Sequence, residues 1–188
     1  MILMDKAALR TKFIKLREKL SPPDLSSKSS LIAKNLFSRK EFTSANVVAI
    51  YFPIKNEVST QKIIDFLFEH KKRVVVPVVN GNNLVFSEYN KSAVLAEGSF
   101  GVFEPVEKII VPAGQIDFFI VPGIAFDSAC FRLGWGKGFY DKFLSKPIVM
   151  GLKAGLAFDF QVVDSVPHDS FDVQLDFVVS EKTVYRKQ

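Results

Sequence analysis

Val47-Val48-Ala49-Ile50-Tyr51-Phe52-Pro53, then a helical stretch from Ser59 to Lys72, then Arg73-Val74-Val75-Val76-Pro77-Val78-Val79: this order decides the fold. β-Branched and aromatic residues crowd both apolar runs, which suits them to strands. One helix-length segment between two strands has the length and order of a βαβ unit, so a parallel sheet and a right-handed crossover are predicted. Ile116-Asp117-Phe118-Phe119-Ile120-Val121-Pro122-Gly123 is almost wholly apolar, as a strand covered on both faces should be. Leu84 to Tyr89 reads as a strand after the turn Asn80-Gly81-Asn82-Asn83, and Pro147 to Leu152 and Leu175 to Ser180 supply two more. Gly98 to Gln115 is rich in Gly and Pro and reads as loop.

Upstream of this core the pattern is helical. Leu9, Phe13, Leu16 and Leu20 recur at helical spacing among lysines and arginines, which describes an amphipathic first helix. Ser21-Pro22-Pro23-Asp24 combines an N-cap serine, a proline in the first turn and an acid three residues after the cap, so a second helix is predicted to about Lys40, with Leu25, Ile32 and Leu36 on its buried stripe. A length of 188 residues suits one buried core better than two, and residues 1–188 are read as one domain. The expected class is α/β: a single open, mostly parallel sheet with helices on both faces, a three-layer, Rossmann-like arrangement.

Composition narrows the function. Apolar residues make up 48% of the chain and charged ones 24%, which excludes disordered and fibrous classes. The net charge of +5 favours anionic partners, but basic residues are interspersed with acidic ones rather than gathered in a tail, which fits a small polyanion better than nucleic acid. Cys130 is the one cysteine and has no thiol or zinc partner, so it reads as a small buried hydrophobe and nothing calls for an oxidising compartment. Met1-Ile2-Leu3-Met4-Asp5-Lys6 is too short and too soon charged for a signal peptide, and no apolar run spans a membrane; a cytoplasmic location without membrane contact is expected.

Ligands of open α/β sheets bind beyond the carboxyl ends of the strands, which selects Lys55 to Glu57 and Gly123 to Tyr140. The second segment holds Arg132-Leu133-Gly134-Trp135-Gly136-Lys137-Gly138-Phe139-Tyr140-Asp141. Its alternating glycines let backbone N–H groups approach a phosphate, Arg132 and Lys137 add full charges, and a short helix from Phe139 to Leu144 follows. The pattern fits neither Walker A, since Gly138 follows Lys137, nor a dinucleotide fingerprint. Asp141 is either a surface acid at a helix start or a carboxylate for Mg²⁺, which takes oxygen ligands and shares them with nucleotide phosphates. His70 and His168 read as surface or structural residues.

Four ordered pieces together carry a resemblance: Lys6-x-x-x-Arg10; Tyr51-Phe52-Pro53-Ile54-Lys55-Asn56-Glu57-Val58; Pro122-Gly123-Ile124-Ala125-Phe126-Asp127 running into Arg132 to Asp141; and Pro167-His168-Asp169-Ser170-Phe171-Asp172. Over nearly its whole length the chain resembles the 5-formyltetrahydrofolate cyclo-ligases. The resemblance implies ATP-dependent conversion of 5-formyltetrahydrofolate to 5,10-methenyltetrahydrofolate, with Mg²⁺ as cofactor and no protein partner. It implies ATP contacts from Lys6, Ala7, Ala8, Leu9 and Arg10 and from Arg132, Leu133, Gly134, Trp135, Gly136, Lys137, Gly138, Phe139 and Tyr140. It further implies Lys137, Arg132 and Tyr140 as catalytic groups, Phe52, Glu57 and Tyr140 against the folate, and Asp141 and Asp172 as metal ligands. Two positions depart from the family's pattern: Cys130 stands where a glycine is usual and Phe139 where a tyrosine is common. Trp135 either stacks on a ring or caps the site, and Tyr140 either faces the formyl group or is structural. Two other readings of the same loop are a small-molecule kinase of another acceptor and a non-catalytic nucleotide- or RNA-binding module.

Overall fold

The computed structural model describes residues 5–187; the expectation for Met1 to Met4 lies outside them. The helices are α1 (Lys6–Glu18), α2 (Pro22–Phe37), α3 (Lys40–Thr43), α4 (Gln61–Glu69) and α5 (Phe139–Leu144). The strands are β1 (Val47–Ala49), β2 (Arg73–Asn80), β3 (Asn83–Tyr89), β4 (Leu95–Glu97), β5 (Phe103–Pro105), β6 (Ile110–Val111) and β7 (Phe118–Val121), then β8 (Ala125–Asp127), β9 (Arg132–Leu133), β10 (Leu152–Leu156), β11 (Val162–Val163), β12 (Phe177–Val179) and β13 (Val184–Arg186).

An eight-stranded sheet runs in the order β13-β12-β10-β7-β1-β2-β3-β6. Its centre is parallel: β1 pairs with β2 and β7, and β10 with β7 and β12. Antiparallel strands close both sides, with β13 on β12 and β3 and β6 beyond β2. The βαβ reading of residues 47–79 therefore holds, as does the mostly parallel sheet.

Alternation along each strand builds two cores. Val48, Val74, Val76, Phe118, Ile120 and Val179 face one way and meet Ile32 and Leu36 of α2, Phe42 of α3 and Ile63 and Leu67 of α4. Val47, Ala49, Val75, Phe119, Val121 and Val178 face the other way, against Phe143 and Leu144 of α5. Helices thus cover both faces, and residues at i and i+2 of one strand reach opposite layers from i+1. The Ser21 hydroxyl accepts from the Asp24 N–H at 3.2 Å, so the cap read from sequence starts α2.

Several boundaries differ from the sequence reading. α2 ends at Phe37, and α3 is a separate turn. The strand expected over Pro147 to Leu152 begins only at Leu152, because residues 146–149 close a turn after α5 through the Val149 N–H and Lys146 carbonyl. Lys153 and Gly155 break the apolar pattern of β10, yet Gly155 is obligatory. A Cβ there would lie 2.4 Å from the Phe126 ring, and one at Gly123 would lie 2.5 Å from the same ring. Phe126 is fully buried in the slot these two glycines leave.

Overpacking of this kind costs about 1–3 kcal/mol. Gly155→Ala is expected to lower the unfolding free energy from urea titration by that amount, with a lower midpoint, and adding Phe126→Leu should recover part of the loss. An unchanged midpoint in the single variant would contradict the slot.

Candidate active site

Three carboxyl-end segments converge on one cavity of about 610 Å³. Tyr51 to Glu57 follow β1, Pro77 and Val79 end β2, and Pro122 follows β7; the loop Arg132 to Asp141 and the acids Asp169 and Asp172 complete the lining. The volume suits a ligand of several hundred daltons. Lys6, Arg10, Phe52, Glu57, Arg132, Lys137, Tyr140, Asp141 and Asp172, read from sequence as site residues, all line it, as does every residue from Leu133 to Phe139.

Ala7, Ala8 and Leu9 do not. A helix turns 3.6 residues per turn, so Lys6 and Arg10 share a face that the three residues between them leave. Leu9 is buried against Phe13, Ile124, Ala125, Leu133 and Val166, and the Ala7 and Ala8 N–H groups donate to the Asp5 carboxylate that caps α1. The N-terminal contact is therefore narrowed to Lys6 and Arg10.

The glycine loop is shaped around arginines. A Cβ on Gly134 would stand 2.6 Å from an Nη of Arg132, and one on Gly136 would stand 3.2 Å from the Arg10 guanidinium. The Arg10 Nε donates to the Gly134 carbonyl at 2.9 Å. Gly136 and Gly138 take φ of 91° and 68°, the left-handed region that glycine enters at little cost. Arg132 is buried and pairs with Asp141 at 3.0 Å, yet its Nε and one Nη have no hydrogen-bond partner among the described residues, and neither has the buried Tyr140 hydroxyl. Lys137 is exposed and makes no ion pair with another described residue.

Acids offset part of this charge. Lys6 bridges Asp169 at 2.6 Å and Asp172 at 2.9 Å. The Asp169 bond raises the Lys6 ammonium above its ordinary range. Burial opposes ionisation of Asp172, but the Asp169 N–H and Lys6 outweigh it and hold the carboxyl below its ordinary range. Asp141 accepts from the Val173 N–H with its second oxygen. Among the described residues no group of three or more His, Cys, Asp or Glu is spaced to hold a metal by itself. Asp141 and Asp172 both line the cavity and keep carboxylate lone pairs, donors of the kind a hard cation takes when it completes its shell with phosphate oxygens and water.

Glu57 lines the same cavity. A type I′ turn presents it: Lys55 and Asn56 have φ of 47° and 55°, and the Glu57 N–H donates to the Ile54 carbonyl at 2.9 Å. Its carboxylate accepts from the Ile54 N–H at 3.1 Å and the Trp135 indole at 3.2 Å. Burial pushes the Glu57 carboxyl above its ordinary range against these bonds. Tyr140 is pushed up by burial as well, well beyond the usual phenol range.

One lining residue carries no clear signal in sequence: Phe100, from a 3₁₀ turn in the stretch read as loop, stands 5.9 Å from Phe139. Asp169 lies in the fourth piece that carries the resemblance but is not singled out there as a site residue. Arg17, buried behind Glu57, does have a signal: it lies four residues after Phe13 on the buried stripe of α1, where an apolar residue belongs. Cys130 takes φ of 70°, which explains why glycine suits that position; its thiol is buried and pushed up to about 11 by desolvation.

An α/β fold that brings several cationic side chains and a buried carboxylate to one cavity at the strand ends has the form of an enzyme site suited to an anionic ligand. A model of the 5-formyltetrahydrofolate cyclo-ligase family matches residues 3–181. The 5-formyltetrahydrofolate cyclo-ligase of Mycoplasma pneumoniae is 32% identical over 185 residues, covering 95% of this chain and 100% of its own, and that of Escherichia coli K12 is 29% identical, covering 90% and 96%. The NMR structure of Aquifex aeolicus 5,10-methenyltetrahydrofolate synthetase superposes with a TM-score of 0.87 at 39% identity, covering 98% of this chain and 94% of that one. The chain belongs to the 5-formyltetrahydrofolate cyclo-ligase family, as the sequence resemblance implied. No described helix is long and apolar enough to cross a membrane.

Trp135 is the chain's one tryptophan, and it lines the cavity with Lys55 4.9 Å and Arg17 5.5 Å from its ring. Its fluorescence is therefore expected to change when ATP or a reduced folate binds, in a saturable manner that Trp135→Phe abolishes. Emission indifferent to both ligands would place their binding elsewhere.

Proposed function

We propose that this chain converts 5-formyltetrahydrofolate to 5,10-methenyltetrahydrofolate with release of ADP and phosphate. The observation that carries the reading is the pairing, in one cavity, of the buried Glu57 carboxylate with the cations Lys6, Arg10, Arg132 and Lys137. A carboxylate suits the adjacent N–H donors of a pterin through paired hydrogen bonds, and the cations suit a triphosphate. Phe52 is read as packing beside the pterin.

The chemistry follows from a poor leaving group. The formyl oxygen attacks the γ-phosphorus, the bond from that phosphorus to the bridging oxygen breaks, and ADP leaves. N10 then attacks the phosphorylated formyl carbon and loses its proton, and phosphate departs with the original formyl oxygen and the C–O electron pair. Arg132 and Lys137 stabilise the charge on the moving phosphoryl group, and Lys6 and Arg10 hold the nucleotide from α1. Tyr140, protonated across the working range because burial raises it, donates toward the formyl oxygen. Mg²⁺, held by Asp141 and Asp172, would neutralise phosphate charge. Residues 1–188 act as one cytoplasmic domain without nucleic-acid or protein partners.

Purified protein given 5-formyltetrahydrofolate, ATP and Mg²⁺ is expected to form the methenyl chromophore at a rate that vanishes without ATP. No ATP-dependent absorbance would remove the assignment, and a stable phosphorylated product would identify a kinase instead. Loss of a charge-stabilising group typically costs on the order of 10²–10³ in kcat, so Lys137→Ala should fall by that factor with an unchanged melting temperature.

A further inference from the structure

We propose that Arg17, which does not line the cavity, is a positioning residue that holds Glu57 and Trp135 in register at the folate end of the site. The proposal rests on reading Glu57 as the folate-binding acid.

Arg17 is fully buried, and its Nε and both Nη atoms lack a hydrogen-bond partner among the described residues. Its nearest acid is Glu57, with Nη1 to Oε1 at 3.7 Å, an ion pair too long for a hydrogen bond. Its guanidinium carbon lies 5.5 Å from the centroid of the Trp135 ring, whose indole N–H donates to the same Oε1. The Arg17 carbonyl accepts from the Asn56 side chain at 3.1 Å, inside the turn that presents Glu57. One residue of α1 thus touches the acid, the ring that bonds the acid and the turn that carries it.

Stability alone does not account for a charge here. Position 17 follows Phe13 by one helical turn and packs inward, where leucine or methionine would complete the stripe. Replacing both members of a buried ion pair by apolar residues is often neutral or stabilising, while removing one leaves the other uncompensated. A buried arginine stays charged, whereas Glu57 can escape the strain by taking a proton.

The charged and titratable groups around Glu57 are few. Arg17 faces it from α1, Tyr51 from the end of β1, Tyr140 from α5, and Lys55 from its own turn across Trp135; Glu18 lies beside Arg17. Burial raises both tyrosines, so neither is anionic near neutrality. Burial likewise raises Glu57, and the Ile54 N–H, Arg17 and the Trp135 indole pull it back. Only ionised Glu57 offers two unprotonated oxygens side by side to adjacent N–H donors, and a carboxyl with a raised pKa gains its proton as pH falls through that value. Without Arg17 the proton is gained at higher pH, and folate binding fails earlier on acidification.

The test uses full-length Arg17→Met, Arg17→Gln and Arg17→Lys. Glutamate carboxyls are labelled with ¹³C, and the Glu57 resonance is assigned by its loss in Glu57→Gln. An opposite charge at this distance shifts a carboxyl by about one unit or more. The Glu57 midpoint in Arg17→Met is expected to rise by that much, and the acidic limb of kcat/KM for 5-formyltetrahydrofolate should move with it. At a pH below both Glu57 midpoints the folate KM should rise about tenfold while the ATP KM changes less than about twofold, one unit being tenfold in the ionised fraction there. Arg17→Lys should recover much of both. Arg17→Gln serves if Arg17→Met does not fold. An unmoved Glu57 midpoint in a folded neutral variant, or an ATP KM that rises as far as the folate KM, overturns the proposal. If Glu57→Gln leaves the folate KM unchanged, the folate reading of Glu57 fails, while the carboxyl titration still judges what Arg17 does to it.

Discussion

Parallel pairing is the constraint from which the rest of the molecule follows. Because β1, β2, β7 and β10 run the same way, each must be re-entered from the same end, and their carboxyl ends open together. Glu57, Pro77, Val79 and Pro122 are brought to one cavity by that geometry and not by nearness in sequence. The antiparallel strands at the sides, β3, β6 and β13, extend and cover the sheet without adding a second opening of this kind.

Within that opening the chain resolves a conflict between concentrating positive charge and keeping it ordered. Carboxylates of the last third do part of this work, with Asp169 and Asp172 on Lys6 and Asp141 on Arg132. Glycines do another part, because missing side chains at 134 and 136 leave room for Arg132 and Arg10 to lie along the loop. The loop was readable as a phosphate cradle. It also seats two guanidinium groups, those of Arg132 and Arg10, on the cavity wall.

Much of this was legible because it is written in local pattern. The valine runs of β1 and β2, the Ser21 cap and the α5 start at Phe139 each declare themselves within a few residues. β10 did not, since Lys153 and Gly155 serve neighbours distant in sequence: the Lys153 N–H pairs with Asp176, and Gly155 makes way for Phe126. Arg17 was hidden for the opposite reason. It lay in plain view on an apolar stripe, but only the position of Glu57 and Trp135 gives the charge a purpose. The spread from Lys6 to Arg10 looked continuous in sequence and is not so in space, because helical rotation sends Leu9 into the core.

The two cavity-facing cations of the first helix are tied to the molecule by segments made long after it. Arg10 bonds a carbonyl 124 residues away, and Lys6 reaches acids 163 and 166 residues away. Made before all of these partners, α1 meets Gly134 only after synthesis has passed the central strands, and Asp169 and Asp172 later still. Until then its cavity-facing cations Lys6 and Arg10 remain in water. The cavity lining thereby waits on synthesis through Asp172, and a chain that stops short of Asp169 lacks both acids that bind Lys6 as well as strands β12 and β13.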